Sequence, residues 1–374
     1  MSLQDEINAK SNEIKTDAYS MSIGELMNLY NSNELDIHPE FQRFFRWKED
    51  QQSKFIESIF LGIPIPSIFI SQREDGIWDV IDGLQRLSTI FQFAGILRDE
   101  NNALYTPSTL TKTKYLPSLE NKKWEDKNDL PNSLTVSQRI YLKRHKLDIK
   151  IVIETSDPEI KYELFQRINS LGTKLSDQEL RNCILIMADK SFFEWIDDLS
   201  KYEPFQNCIS LSDNDTDQQY DKELVLRFFI CKNVGTDTLG EQKNIAEFID
   251  KKAIQFTNRT LFNRESEGRL FKRTFDLLNN TLAYRSFRKY NHERQRFEGK
   301  FLVTTFEATS IGIASNIDSW EQSGLSDEVM LERLVTRSGQ LWQDDTYLSS
   351  IGRGARFNTR ARDIIPVGKR IFVP

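Results

Sequence analysis

The sequence predicts an α+β protein, with a small mixed sheet and its helices in the N-terminal half and helices alone in the C-terminal half. Three observations predict this. Residues 65–70, apolar but for Ser67, and 77–81, apolar but for Asp79, are runs of strand length, and Leu147, Ile149, Ile151 and Ile153 alternate with Asp148, Lys150 and Glu154; runs and alternation of this length are strand signals. Apolar spacings of three and four, the helical period, mark 48–61, return at Leu84 and recur from there as far as about residue 342. Beyond about residue 188 the strand signals fade. The 374 residues suit two domains at roughly 100–200 residues each. The expected division is an α+β domain over 1–188 and an all-α domain over 189–374.

The elements follow in order. Ser22-Ile23-Gly24-Glu25 is a capping box, in which Ser and Glu reciprocally satisfy the open amides of a helix start, and it opens a short helix through Leu26, Met27, Leu29 and Tyr30. An extended piece follows over 35–41. Phe55, Ile56, Ile59 and Phe60 mark an amphipathic helix over 48–61, stopped by Gly62. Pro64 and Pro66 keep the chain extended into the strand at 65–70. Gly76 turns it into the strand at 77–81, and a helix follows through Leu84, Leu87, Phe91, Ala94 and Leu97. Residues 99–137 are polar without sustained periodicity, which reads as an insertion or mobile excursion. After the alternating strand, Asp157-Pro158 opens a helix that ends at Gly172, and Ser176-Asp177-Gln178-Glu179 caps the next. Further helices are expected over 191–203, 221–232, 241–256, 266–290, 300–315 and 326–342.

Composition excludes several classes. No apolar run approaches the ~18 residues a membrane span requires, and the polar, acidic start is no signal peptide. Three scattered cysteines, Cys183, Cys208 and Cys231, fit a reducing cytoplasm better than a disulfide framework. The three histidines, His38, His145 and His292, stand at no metal-ligand spacing from one another or from cysteine, which argues against zinc. A net charge of −6 argues against a protein that coats DNA with its whole surface. The charge is uneven, however. Arg285, Arg288, Lys289, Arg294, Arg296 and Lys300 face only Glu293 and Glu298, and Arg353, Arg356, Arg360, Arg362, Lys369 and Arg370 face only Asp363. Such runs are solvated helix faces or a phosphate-backbone track; on the second view Arg285, Arg288, Arg294, Arg296, Arg353 and Arg356 are the DNA-binding candidates.

The segment with most chemistry is Ile81-Asp82-Gly83-Leu84-Gln85-Arg86, where a strand turns into a helix. A helix start offers unpaired amides and a positive dipole end. Gly83 lets an anion approach the backbone, and Arg86 supplies a planar fork matched to phosphate. Asp82 repels phosphate directly, so its roles are to hold Arg86, to accept from a ribose hydroxyl, or to share a divalent metal. The plainer alternative is an ordinary capped turn. Two further segments favour a site: Gln42, Arg43 and Arg46 among Phe41, Phe44, Phe45 and Trp47, and the helix-to-helix passage carrying Asn169 and Gly172.

The ordered set Gln-Arg-x-x-x-Trp at 42–47, Gly-x-Pro-Ile-Pro at 62–66, Asp-Gly-x-Gln-Arg-Leu at 82–87 and Phe-x-x-x-Asn-x-x-Gly at 165–172 resembles the N-terminal domain of GmrSD-type restriction endonucleases, a family similar to the ParB/sulfiredoxin fold. The resemblance covers roughly 15–185. It implies a nucleotide site at Asp82, Gly83, Gln85 and Arg86, with Gln42, Arg43, Asn169 and Gly172 contributing and Asp82 and Arg86 as the catalytic pair. It also implies a prokaryotic defence protein that binds ATP or GTP with Mg2+, which Asp82 would share, and that acts with DNA and with a separate nuclease subunit. Two departures bear on activity. Leu84 stands where the family usually has Gln, which favours binding over hydrolysis. No stretch after residue 188 has the histidines of the HNH module that many relatives carry. The alternatives are a non-catalytic DNA-binding module using basic C-terminal helices and a stand-alone nickase.

Overall fold

The computed structural model describes residues 3–5, 15–37, 47–73, 75–99, 101–153, 177–212, 215, 219–242, 244–351 and 357–374. The chain divides into two compact units, residues 1–175 and 176–374.

Unit 1 is built on five strands: β1 (Lys15–Ser22), β2 (Leu35–Asp36), β3 (Ile68–Gln72), β4 (Trp78–Asp82) and β5 (Lys146–Ile153), in the spatial order β1-β5-β3-β4-β2. The sheet is mixed. β5 runs antiparallel to β1 and parallel to β3, while β4 is antiparallel to β3 and parallel to β2. Among the described residues four helices pack with it: α1 (Ile23–Asn31), α2 (Glu49–Leu61), α3 (Leu84–Phe93) and α4 (Val136–Arg144). The core joins Ile68, Ile70, Ile149 and Ile151 of the sheet to Ile23 and Leu26 of α1, Ile56 and Ile59 of α2, and Leu87 and Phe91 of α3. Tyr30 stacks on Phe91 with ring centroids 4.5 Å apart. Ser22 caps α1 by accepting from the Glu25 amide at 3.2 Å, and Gly62 ends α2 at φ 67°.

The polar stretch 99–137 is no mobile excursion. Leu110, Leu119 and Leu134 are buried in the core of unit 1 and Trp124 packs against it. Its hold on α2 is polar. Glu57 accepts from the Thr113 hydroxyl at 2.5 Å, the Tyr115 amide at 2.9 Å and the Leu116 amide at 2.8 Å, and Ser53 accepts from the Thr111 amide at 2.8 Å. Burial raises the Glu57 carboxyl, but these hydrogen bonds outweigh it, so the group sits below its ordinary value. Apolar residues too widely spaced to show a period, fixed by a buried acid on another element, explain why the stretch reads as a loop.

Unit 2 contains α5 (Asp177–Ser200), α6 (Glu203–Ile209), α7 (Tyr220–Asn233), α8 (Thr236–Gly240), α9 (Ile245–Thr257), α10 (Arg264–Thr281), α11 (Val303–Gln322), α12 (Asp327–Leu341), α13 (Asp345–Ser350) and α14 (Phe357–Ile371). α5 breaks at Asp189, whose carboxylate accepts from the Phe192 amide at 3.0 Å and so restarts the helix. The unit is not all-α. The helix expected over 266–290 stops at Thr281, and a hairpin follows, β6 (Lys289–Asn291) paired with β7 (Arg296–Glu298). Tyr290 opposes Phe297 across it with ring centroids 5.1 Å apart, and Asn291 accepts from the Arg294 amide at 3.0 Å to hold the turn. α11 and α14 meet backbone to backbone. A Cβ on Gly312 would lie 2.5 Å from the Gly368 carbonyl oxygen, and one on Gly368 would overlap Ala308.

An alternating chain of charges crosses this unit: Asp250, Arg181, Glu223, Arg227, Glu307 and Arg360. Arg181 pairs with Asp250 and, at 3.3 Å, with Glu223. Arg227 pairs with Glu223 at 2.8 Å and Glu307 at 3.0 Å, and Arg360 grips Glu307 through Nε at 3.0 Å and Nη2 at 2.9 Å. Glu307 is wholly buried. Burial opposes the charges of Glu223 and Arg227, yet their partners prevail, holding Glu223 below its ordinary value and Arg227 above.

Candidate functional site

β4 delivers Asp82 to its C-terminal end, opposite Phe69, past a register shift between Phe69 and Ile70. Gly83 follows at φ 106° and ψ 8° and is the N-cap of α3. This is left-handed backbone that only glycine adopts without strain. A Cβ there would also stand 2.9 Å from Ile68 Cγ1 and 3.3 Å from Arg86 Nη2. With glycine as cap, no side chain closes the first turn of α3, and that turn contains no acid. Its positive end is therefore unopposed by any residue of its own turn.

Arg86 is 9% exposed and is no surface residue. Its Nη2 donates to Asp82 Oδ2 at 2.8 Å, and its Nη1 to the carbonyls of Pro66 and, at 3.2 Å, Ser67. Burial pulls the guanidinium below its ordinary value, and Asp82 offsets part of that. A guanidinium carries five N–H donors; these three bonds leave two without a partner among the described residues. Asp82 has one oxygen engaged by Arg86 and a 22% exposed side chain. Of the roles read for Asp82 from the sequence, holding Arg86 is the one in place.

Gln85 accepts from the Trp47 amide at 3.4 Å. Trp47 closes the Gln-Arg-x-x-x-Trp motif, so the chain that leaves that motif arrives at the turn. There Trp47 packs edge-on to Phe55, centroids 5.5 Å apart, and its carbonyl accepts from Gln52 at 3.1 Å. Gln42, Arg43, Asn169 and Gly172 lie outside the described residues, as does the helix expected from Asp157. Among the described residues no group of three or more His, Cys, Asp or Glu could hold a metal. A magnesium that takes most of its ligands from phosphate and water asks less, one or two carboxylates, and Asp82 has one oxygen to give.

Sequence reasoning missed a second charged cluster at the other end of β4. Arg73 bridges Asp36 Oδ2 at 2.7 Å and Asp79 Oδ2 at 2.8 Å. The two acids raise its guanidinium above the ordinary value against the pull of burial. Asp36 and Asp79 are register partners of β2 and β4, so the cluster fastens the short edge strand. Only the pairing of strands far apart in sequence reveals it.

The basic residues of unit 2 divide by role. Arg285 turns back onto the carbonyls of Leu282 at 3.1 Å and Thr281 at 3.0 Å, closing the end of α10. Arg288 holds the carbonyls of Tyr284 and Gly299, each at 3.0 Å. Arg294 and Arg296 are 64% and 62% exposed and reach Glu298 only at 3.6 and 3.7 Å. They lie on the hairpin, not on the helix face expected for them. Arg360 belongs to the internal ion chain, and Arg353 and Arg356 lie outside the described residues. No described helix is long and apolar enough to cross a membrane. Cys208 and Cys231 are buried free thiols, the first pushed up to about 12 by burial.

Residues 23–186 match the family model of the GmrSD restriction endonuclease, N-terminal domain. The segment similar to that family begins at the first residue of α1 and includes the Asp82–Arg86 turn. No curated protein and no solved structure matches the chain.

Proposed function

We propose that the chain is a nucleotide-binding component of a prokaryotic DNA restriction or anti-phage defence system, with the phosphates of ATP or GTP received at the Asp82–Arg86 turn. The observation that carries this reading is the left-handed Gly83 at the uncapped start of α3, beside a buried arginine, inside the GmrSD-family segment. The first amides of α3 and the two remaining Arg86 donors form the anion-facing set. Asp82 fixes Arg86 and gives its second oxygen to a magnesium brought with the nucleotide. Gln42, Arg43, Asn169 and Gly172 complete the site by their motif positions. The mixed sheet with its helices supports kinship with the ParB/sulfiredoxin fold. DNA is the molecule the system acts on, with a separate nuclease subunit as the cutting partner. Leu84, in place of the family's usual Gln, makes binding rather than turnover the primary activity.

The test is ATP and GTP binding, with phosphate release measured alongside, for wild type, Arg86→Ala and Leu84→Gln. Loss of charge-assisted bonds predicts an affinity drop of about 10- to 100-fold for Arg86→Ala. Leu84→Gln is expected to keep binding and to raise phosphate release. Equal affinity in wild type and Arg86→Ala would remove this turn as the site.

A further inference from the structure

Unit 2 contains a cavity of about 810 Å³ lined by Ser210, Ser212, Asp215 and Tyr220 on one side and by the start of α11 on the other. Its charge is set by Arg288 and Lys300. Arg288 is fixed by two carbonyls, those of Tyr284 and Gly299, so its guanidinium is placed in advance of any ligand. Lys300 is exposed and forms no ion pair among the described residues. The start of α11 lines the same space. Its cap, Leu302, brings no side-chain oxygen to the first amides, and its first turn contains no acid. Among the described residues the one acid in the lining is Asp215, whose Oδ2 already accepts from the Ser212 hydroxyl at 2.6 Å.

The rest of the lining is aromatic and hydroxylic. Tyr220 and Phe301 meet edge-on with centroids 6.4 Å apart, and Thr304 and Ser210 also face the space. The Tyr220 hydroxyl has no hydrogen-bond partner among the described residues, and burial pushes its phenol up to about 12, so it stands as a neutral donor. Two cations and a helix start beside one another select an anion. The volume lies within the roughly 300–1,000 Å³ of small-molecule sites and far exceeds a bare phosphate, and the two rings suit a planar or sugar-bearing body.

We infer that this cavity binds a phosphate ester of mononucleotide size, its phosphate between Lys300, Arg288 and the first amides of α11 and its body against Tyr220 and Phe301. The site lies wholly within unit 2, so it stands or falls independently of the Asp82–Arg86 turn.

Equilibrium dialysis of the full chain against radiolabelled AMP tests it, with circular dichroism as the control for folding. Wild type is expected to take up AMP, inorganic phosphate to compete, and adenosine to compete poorly. Lys300→Glu, a change at an exposed side chain, and Arg288→Gln are each expected to weaken uptake about tenfold or more, the scale of one charge-assisted bond. Arg86→Ala is expected to leave a full equivalent of this binding. No uptake by wild type, uptake unchanged in both Lys300→Glu and Arg288→Gln, adenosine competing as well as AMP, or all uptake lost in Arg86→Ala would each overturn the inference.

Discussion

In unit 1 the guanidinium of Arg86 is held by one carboxylate and two main-chain carbonyls, at the open end of a helix. In unit 2 three guanidiniums, those of Arg181, Arg227 and Arg360, alternate with the carboxylates of Asp250, Glu223 and Glu307. Both arrangements take arginine out of water, which costs several kcal/mol per ion unless it is compensated. The second compensates charge with charge; among the described residues Arg181 Nη2 is its one fully buried atom without a hydrogen bond. The first brings one negative charge to a place that also carries a helix dipole, so the local balance remains positive. An arginine answered charge for charge is a strut. One answered mostly by carbonyls, beside unclosed amides, is poised to take an anion as well. Desolvation alone does not distinguish the two; the identity of the acceptors does.

Glu307→Ala should break the comparison from the structural side. It leaves Arg227 and Arg360 without the acid they share, and removing one partner of a buried pair costs about 3–5 kcal/mol. Urea denaturation followed by circular dichroism measures this; a loss below about 1 kcal/mol would show that the ion chain is dispensable. Gly83→Ala acts on the other side. Left-handed backbone and the contact with Ile68 predict about 1–3 kcal/mol of destabilisation, together with weakened ATP binding. A variant as stable as wild type, with intact binding, would mean that the turn does not depend on this glycine. The smallest effect concerns Glu57. Its folded pKa lies below the unfolded value of roughly 4.3, so its stabilisation is complete above that value and is lost as pH falls through the folded one. Stability measured across this acidic range should decline less steeply in Glu57→Gln than in wild type. Identical slopes would remove Glu57 as the acid-sensitive tether of residues 110–116.

How much of this was legible in the sequence follows from the range of the interactions. The hairpin of β3 and β4, the switch to helical period at Leu84 and the capped start of α1 are written in residues a few positions apart, and they stand where expected. β1 was missed because Asp17 to Ser20 are exposed and Met21 alone among its described side chains is buried, so an edge strand of the sheet has no apolar alternation to read. α4 was missed within polar sequence, although Thr135 and Gln138 form a capping box, a signal that was available. α14 was hidden by Pro366 in its interior. The site was legible as a motif and not as a geometry. Asp82, Gly83 and Arg86 were singled out as candidates, but the carbonyls of Pro66 and Ser67 that receive Arg86 offer no side-chain signal at all. The helix expected over 266–290 was carried into the first strand of the hairpin, and the hairpin itself was missed, because a cross-strand pair such as Tyr290 and Phe297 is invisible to a search for a period of 3.6.

The contact of Gly312 with Gly368 has a consequence for the rigidity of unit 2. Where two helices touch through main chain, no rotamers are frozen on contact, so the side-chain entropy that docking normally costs is absent at that point. The same absence removes all slack: there is no side chain that could shift to absorb an added methyl. The separation of α11 and α14 is therefore set by the thickness of the backbone itself, and Glu307 on one helix and Arg360 on the other are held in register by a spacer that does not stretch.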